Sequence, residues 1–204
     1  SPSPSSTTTE VPELPADRPI KIHVSPKYEA ATPAPLLVLL HGFGASGEIQ
    51  SAYLGLEKPV DANGMLYVYP DGTENRIGKR FWNATDACCA GPVSNDVDDS
   101  AYLSAVIAKV RSQYNVDPRR IYVMGHSNGG FMSYRMACDH ADKIAAVASL
   151  AGATFADAER CDPSEPVSVL QIHGTADETI PYTGGTILGN DHPSAQTTVD
   201  TWAD

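Results

Sequence analysis

The sequence predicts an α/β domain with a mostly parallel sheet flanked by helices, and three observations carry that prediction. Short apolar runs recur along the chain, the runs are mostly continuous rather than alternating, and helical patterns lie between them. A strand covered by helices on both faces reads as an unbroken apolar run. Strand and helix taking turns is the signature of parallel strands joined by right-handed crossovers.

The runs are IKIHV (residues 20–24), PLLVLL (35–40), MLYVY (65–69), RIYVM (120–124), IAAVASL (144–150) and VSVLQI (167–172). Between the third and fourth, the segment from Asp98 to Tyr114 sets Leu103, Val106, Ile107, Val110 and Tyr114 on one helical stripe. Asp98, Asp99 and Ser100 supply its start with cap and dipole partners. A second helix follows residue 127 through Met132, Met136 and Ala137. Residues 70–96 have no convincing period and carry Phe81, Trp82 and the pair Cys88 and Cys89. So long an unpatterned link in a compact domain is usually functional or disordered, and its aromatics point to a loop lining a site. The sequon Asn83-Ala84-Thr85 lies in it and matters only in a glycosylating host.

The 204 residues fit one domain, long enough to bury about 70% of the surface of the unfolded chain. With 14 Lys and Arg against 25 Asp and Glu, the net charge is −11, which repels phosphate backbones and argues against a nucleic-acid partner. No apolar run approaches the ~18 residues of a membrane helix. Residues 1–18, rich in Ser, Thr and Pro, read as a flexible tether, with the domain occupying 19–204. The four cysteines have no zinc-like spacing, and no metal is expected. The pairing that fits the expected fold is Cys138 with Cys161, one on a helix and one after the next strand. Cys88 and Cys89 are left to bridge each other, stay reduced, or pair outside the chain. The tether and the bridge together favour an oxidising compartment.

Gly125-His126-Ser127-Asn128-Gly129 fits G-x-S-x-G, with a strand before it and a helix after it. A sharp turn there stands the Ser127 Oγ over a helix N-terminus, and the flanking glycines let backbones approach. A nucleophilic serine needs two donors for the oxyanion it creates. Asn128 N–H is one, and the loop His41-Gly42-Phe43-Gly44 after the second strand supplies the other, Phe43 N–H. The acid follows the serine in this order of elements, and Asp177 lies just past VSVLQI, with Glu178 as its competitor.

The segments LLHGFGASG, RFWNATDACC, VDDSAYL, VDPRRIYVMGHSNGGFMSYRMAC, SLAGA and IHGTADETIPYTGG occur in that order. Together they resemble the secreted esterases grouped as polyhydroxybutyrate depolymerase-like and feruloyl-esterase-like α/β hydrolases, from about Arg18 onward. The resemblance implies an α/β-hydrolase fold, a secreted or surface-tethered location, no cofactor, and hydrolysis of feruloyl, acetyl or hydroxyalkanoate esters. It makes Ser127 the nucleophile, Asp177 the acid, Phe43 and Asn128 the oxyanion donors, and Trp82 a wall of the acyl site.

In such esterases the helix begun here at PSAQTTVDTWAD leads to a last strand and a Gly-rich His-x-Trp segment that brings the catalytic histidine. The sequence stops inside that helix, so the expectation is an α/β-hydrolase fold without its C-terminal strand and helix, and inactive alone. Among the six histidines, His126 sits in the sharp turn, and His140 lies 13 residues past Ser127, ~20 Å along a helix. His23 lies on the first strand, and His41 and His173 end strands as His-Gly pairs. His192 alone follows the acid, but a helix N-terminus beside it disfavours an imidazolium. Two other readings stand beside the esterase: a non-catalytic module that binds an ester or polymer, and a serine peptidase on the same fold.

Overall fold

The computed structural model describes residues 12–89 and 97–203. Residues 1–11 of the expected tether and 90–96 of the long link lie outside them. Six strands form the main sheet: β1 (Ile22–Val24), β2 (Ala34–Leu40), β3 (Leu66–Val68), β6 (Val116–His126), β7 (Ala146–Leu150) and β8 (Ser168–Ile172). Their spatial order is β1-β3-β2-β6-β7-β8, with every neighbouring pair parallel except β1 with β3. The chain has the α/β-hydrolase fold that the apolar runs and the six motifs predict.

Helices cover both faces. α3 (Asp99–Gln113) and α4 (Asn128–Asp139) pack on one side, where Leu103, Val106, Ile107, Val110, Phe131 and Met132 meet Leu36, Val38, Leu40, Ile121 and Val123. Asp98 caps α3, its side chain accepting from Ala101 N. On the other face α1 (Gly47–Leu54) and α2 (Glu57–Ala62) lie over a smaller cluster of Leu39, Val60 and Tyr67. Each fully buried leucine in these layers contributes roughly 2 kcal/mol. α5 (Ala195–Ala203) rests against β8 and sets the Trp202 indole N–H 3.3 Å from Thr154 Oγ1.

The structure adds elements that the apolar periodicity does not announce. Within the long link, β4 (Thr73–Glu74) and β5 (Arg80–Phe81) form a small hairpin. After β8, β9 (Gly185–Ile187) and β10 (Asn190–His192) form another, and it holds His192 buried rather than in an open loop. β6 starts four residues earlier than its apolar run, on the polar stretch Val116-Asp117-Pro118-Arg119.

Cys138 and Cys161 are bonded, with Cα atoms 5.2 Å apart, tying the end of α4 to the turn before β8. Cys88 and Cys89 are bonded to each other. Arg18, the last residue of the Ser/Thr/Pro-rich segment, is already held on the body: its Nη1 donates to Asp99 Oδ1 at 2.6 Å. In the sequon, Asn83 Nδ2 is engaged with Val97 O at 2.8 Å.

Candidate active site

The carboxyl ends of three parallel strands are laced together. His126, Leu150 and Ile172 stand in register across β6, β7 and β8. Ser127 N donates to Leu150 O at 2.7 Å, and Ala151 N to Ile172 O at 2.8 Å. Ser127 takes up the turn between β6 and α4 at φ 52°, ψ −119°, a backbone state that non-glycine residues rarely occupy and that only surrounding structure maintains.

The two framing glycines make that turn possible. A Cβ on Gly125 would lie 1.9 Å from Gly129 O, and one on Gly129 would lie 2.3 Å from Leu40 O. The first clash would force the start of α4 away from β6, and the second would push the elbow off β2. Ser127 itself is half-buried and so reachable.

The loop after β2 supplies the donors facing this turn. Gly42 N donates to Gln50 Oε1 at 3.1 Å, Gly44 N to Arg80 O at 2.8 Å, and Ala45 N to Gly42 O at 3.1 Å. Phe43 N–H has no acceptor among the described residues, and neither has Asn128 N–H at the first position of α4. A Cβ on Gly42 would touch Ser127 Cβ at 3.6 Å, so this loop and Ser127 are neighbours. Two uncommitted N–H groups beside a raised hydroxyl suit an oxyanion.

Asp177 follows β8. Its Oδ1 accepts from Thr179 N at 2.8 Å and Ile180 N at 2.9 Å, which fixes the carboxylate and leaves Oδ2 with only His173 Nε2 at 3.8 Å. Those hydrogen bonds, Ile180 N–H foremost, hold its pKa below the usual carboxylate value, helped by Thr179 N–H and by the nearby His173 and His126 rings against the opposing effect of burial. Glu178 is exposed and makes no hydrogen bond among the described residues.

With this geometry in view, the comparisons with known proteins decide the family. The model of the phospholipase/carboxylesterase family matches residues 24–201. The chain belongs to that family. Feruloyl esterase B of Piromyces equi is 33% identical over 155 residues, covering 74% of this chain and 28% of the relative. A bifunctional acetylxylan esterase/xylanase of Neocallimastix patriciarum is 30% identical over 161 residues, covering 79% and 22%. The chain spans half or less of the length of the first curated relatives it matches. Among solved structures, a phospholipase/carboxylesterase from Dyadobacter fermentans superposes with a TM-score of 0.67 at 16% identity, covering 96% of this chain and 85% of that one. An acetyl xylan esterase from Aspergillus awamori gives 0.57 at 18% identity, covering 77% and 56%.

In this carboxylesterase-family chain no histidine is hydrogen-bonded to Ser127 Oγ among the described residues, and partners fix what each imidazole can do. His41 Nε2 accepts from Gly72 N at 2.9 Å, so its proton sits on Nδ1 and goes to Gly42 O at 2.8 Å. Burial, the largest effect on it, lowers its pKa and keeps it neutral. His173 Nε2 donates to Ile180 O at 2.7 Å, and His23 pairs with Asp61 at 2.8 Å. His192 is T-shaped against Phe131 at 6.0 Å with Nδ1 on Pro193 O at 3.1 Å.

One serine does touch an imidazole: Ser100 Oγ lies 3.1 Å from His140 Nε2 and donates to Asp139 Oδ2 at 2.6 Å. Lys143 Nζ, which only donates, sits 3.3 Å from His140 Nδ1, so Nε2 carries the proton and cannot take another from Ser100. That part-buried cluster ties α3 to α4.

Trp82 is placed differently from what the resemblance implies. It is fully buried, its indole N–H donates to His41 O at 3.0 Å, and its ring packs near Tyr102 and His41, so it offers no wall to a substrate. Its main chain is gripped by Asn128: Trp82 N donates to Asn128 Oδ1 at 2.7 Å, and Asn128 Nδ2 to Trp82 O at 2.9 Å. Trp82 thus ties the loop after β2 to the turn at Ser127. The sequence reading also passes over Gln50, whose carboxamide bridges the two loops. The available signal is the punctuation of α1, with Ser46 accepting from Ile49 N as its cap and Gly55 ending it at φ 62°.

Proposed function

We propose that this chain carries the nucleophile, acid and oxyanion donors of a serine-dependent carboxylic ester hydrolase acting through an acyl-enzyme on feruloyl, acetyl or hydroxyalkanoate esters. The observation that carries the reading is the strained elbow at Ser127, φ 52°, flanked by the uncommitted Phe43 and Asn128 N–H groups. Ser127 Oγ attacks the ester carbonyl and gives its proton to a general base. The carbonyl oxygen becomes an oxyanion held by the two N–H groups. The tetrahedral intermediate then expels the alcohol, which takes the proton from the base, and water hydrolyses the acyl-Ser127 in the same way. In this reading the base is a histidine carried by polypeptide outside the 204 residues, oriented by Asp177 Oδ2, because no imidazole among the described residues is hydrogen-bonded to Ser127 Oγ and those of His41, His140 and His173 are held by other partners. The names of the feruloyl and acetylxylan esterase relatives support the substrate range, and the two disulfides support a secreted or surface-tethered protein.

The same lack of a placed base favours a second reading, a module that holds an ester without cleaving it. One experiment separates them. In the protein as its gene encodes it, a fluorophosphonate is expected to label Ser127, and Ser127→Ala to abolish the label. Clean labelling elsewhere, or none, supports the binding module. The 204 residues alone are expected to be almost inert on a p-nitrophenyl ester, since loss of the base costs about 10^6-fold in turnover.

A further inference from the structure

Helix α1 is inverted relative to an ordinary amphipathic helix. Gly47, Gln50 and Ser51 face inward and are buried, whereas Ile49 and Tyr53 are 63% and 73% exposed. The inward carboxamide explains the polar side. Gln50 Oε1 lies 3.1 Å from Gly42 N and 3.3 Å from His126 Nδ1. A backbone N–H only donates, so the Gln50 atom there is the oxygen. An amide oxygen only accepts, so His126 carries its proton on Nδ1. The neutral ring is left with Nε2 as a bare acceptor. That nitrogen has no partner among the described residues and is not one of the buried atoms sealed from solvent. On the outward side, Tyr53 stacks on the His126 ring at 6.1 Å and 26°.

These groups adjoin the reacting serine. His126 precedes Ser127, and the space beside Gly42 touches both His126 Nδ1, at 3.3 Å, and Ser127 Cβ, at 3.6 Å. An exposed aromatic face next to a fixed, uncharged acceptor is the pair of groups that recognises a ring bearing a hydroxyl.

We propose that Gln50, His126 and Tyr53 form a substrate subsite beside Ser127 that takes a hydroxyl-bearing ring of the ester, the ring against Tyr53 and its O–H donated to His126 Nε2. Gln50 is the positioning residue, since it selects the tautomer that can accept. The proposal rests on Ser127 as nucleophile for its place in the reaction, but its binding step does not. A phenol on the acyl side and a sugar on the alcohol side share this chemistry.

The test reads binding on the gene-encoded protein carrying Ser127→Ala, by ligand-observed NMR titration. The probes are methyl 4-hydroxycinnamate and an acetylated methyl xyloside, each with its O-methylated counterpart. For at least one of the two ring types, Tyr53→Ala is expected to raise Kd roughly five- to tenfold. O-methylation is expected to weaken binding several-fold with His126 present and to have no effect in His126→Phe. Whichever probe responds names the source of the ring. The imidazole 15N pattern of the wild-type protein is expected to show the Nδ1–H form at His126 and to revert to the ordinary Nε2–H form in Gln50→Leu. Unchanged Kd values with Tyr53→Ala for both ring types, an equal O-methylation penalty in His126→Phe, or an Nε2–H ring in the wild type would each overturn the subsite. Absence of fluorophosphonate labelling would remove the esterase reading alone and leave the binding result standing.

Discussion

β6 delivers Ser127 between two strands and beneath α4, whereas β8, which leads to Asp177, lies at the margin of the sheet and pairs only with β7 among the described residues. Around Ser127 the main chains of β2, β6 and α4 approach so closely that two glycines have no room for a methyl group. Along β8, Leu170 and Ile172 are 56% and 44% exposed. Ser127 is therefore positioned by backbone packing that tolerates almost no displacement. Asp177 is positioned locally, by two N–H groups of its own loop.

The sharpest way to break this contrast is Gly129→Ala. Its Cβ must displace Leu40 O from 2.3 Å, and no flexible side chain is there to yield. A loss of about 3 kcal/mol or more in urea unfolding is expected, with loss of Ser127 labelling. A variant within about 1 kcal/mol of wild type would show the elbow to be far softer than its contacts imply.

Acidification gives an intermediate effect. Burial, the largest effect on His41, His126 and His140 alike, lowers the pKa of each ring from 6.5, and His41 is completely enclosed. The folded state then binds fewer protons than the unfolded chain. The stability these neutral rings contribute is complete above the ordinary imidazole pKa and is lost as pH falls below it toward the depressed values. The melting temperature is expected to drop between about pH 7.5 and about pH 5, and a flat profile would contradict neutral, hydrogen-bonded imidazoles at these three positions.

The smallest effect belongs to the margin. Leu170→Thr is expected to change unfolding free energy by no more than about 0.5 kcal/mol, since its side chain is already largely in water. A loss comparable to that of Gly129→Ala would mean that β8 is covered in solution and that the contrast drawn from the six-stranded sheet is wrong.

The legible parts of this molecule are those where burial and chain direction coincide. The apolar runs of the inner strands β2, β3, β6 and β7 mark the sheet because helices cover both faces, and the stripe of Leu103, Val106, Ile107 and Val110 marks α3 because its inner face is aliphatic. α1 escapes for the opposite reason: its inner face is Gly47, Gln50 and Ser51, and its large apolar residues look outward. The start of β6 escapes because Asp117, Pro118 and Arg119 break the apolar pattern. In the candidate site, the Gly–x–Ser–x–Gly frame is readable because steric exclusion dictates its glycines. Trp82 is misread because a tryptophan in a loop has the same letter whether it faces a ligand or, as here, backs a main-chain carbonyl. The tautomer of His126 depends on a carboxamide 76 positions away in the chain, which no local pattern reports.

Arg18 gives the domain a mechanical point of attachment. Its guanidinium is held by the fully enclosed Asp99 and lies 3.8 Å over the Tyr102 ring, while the same carboxylate takes Asn83 N at 2.8 Å. Tension arriving through the residues before it is delivered to the start of α3 and to the link at Asn83 before it reaches the short ladder of β1. Pulling on the amino end thus loads the packing of Leu14, the Arg18–Asp99 ion pair and the Tyr102 ring before it loads the sheet.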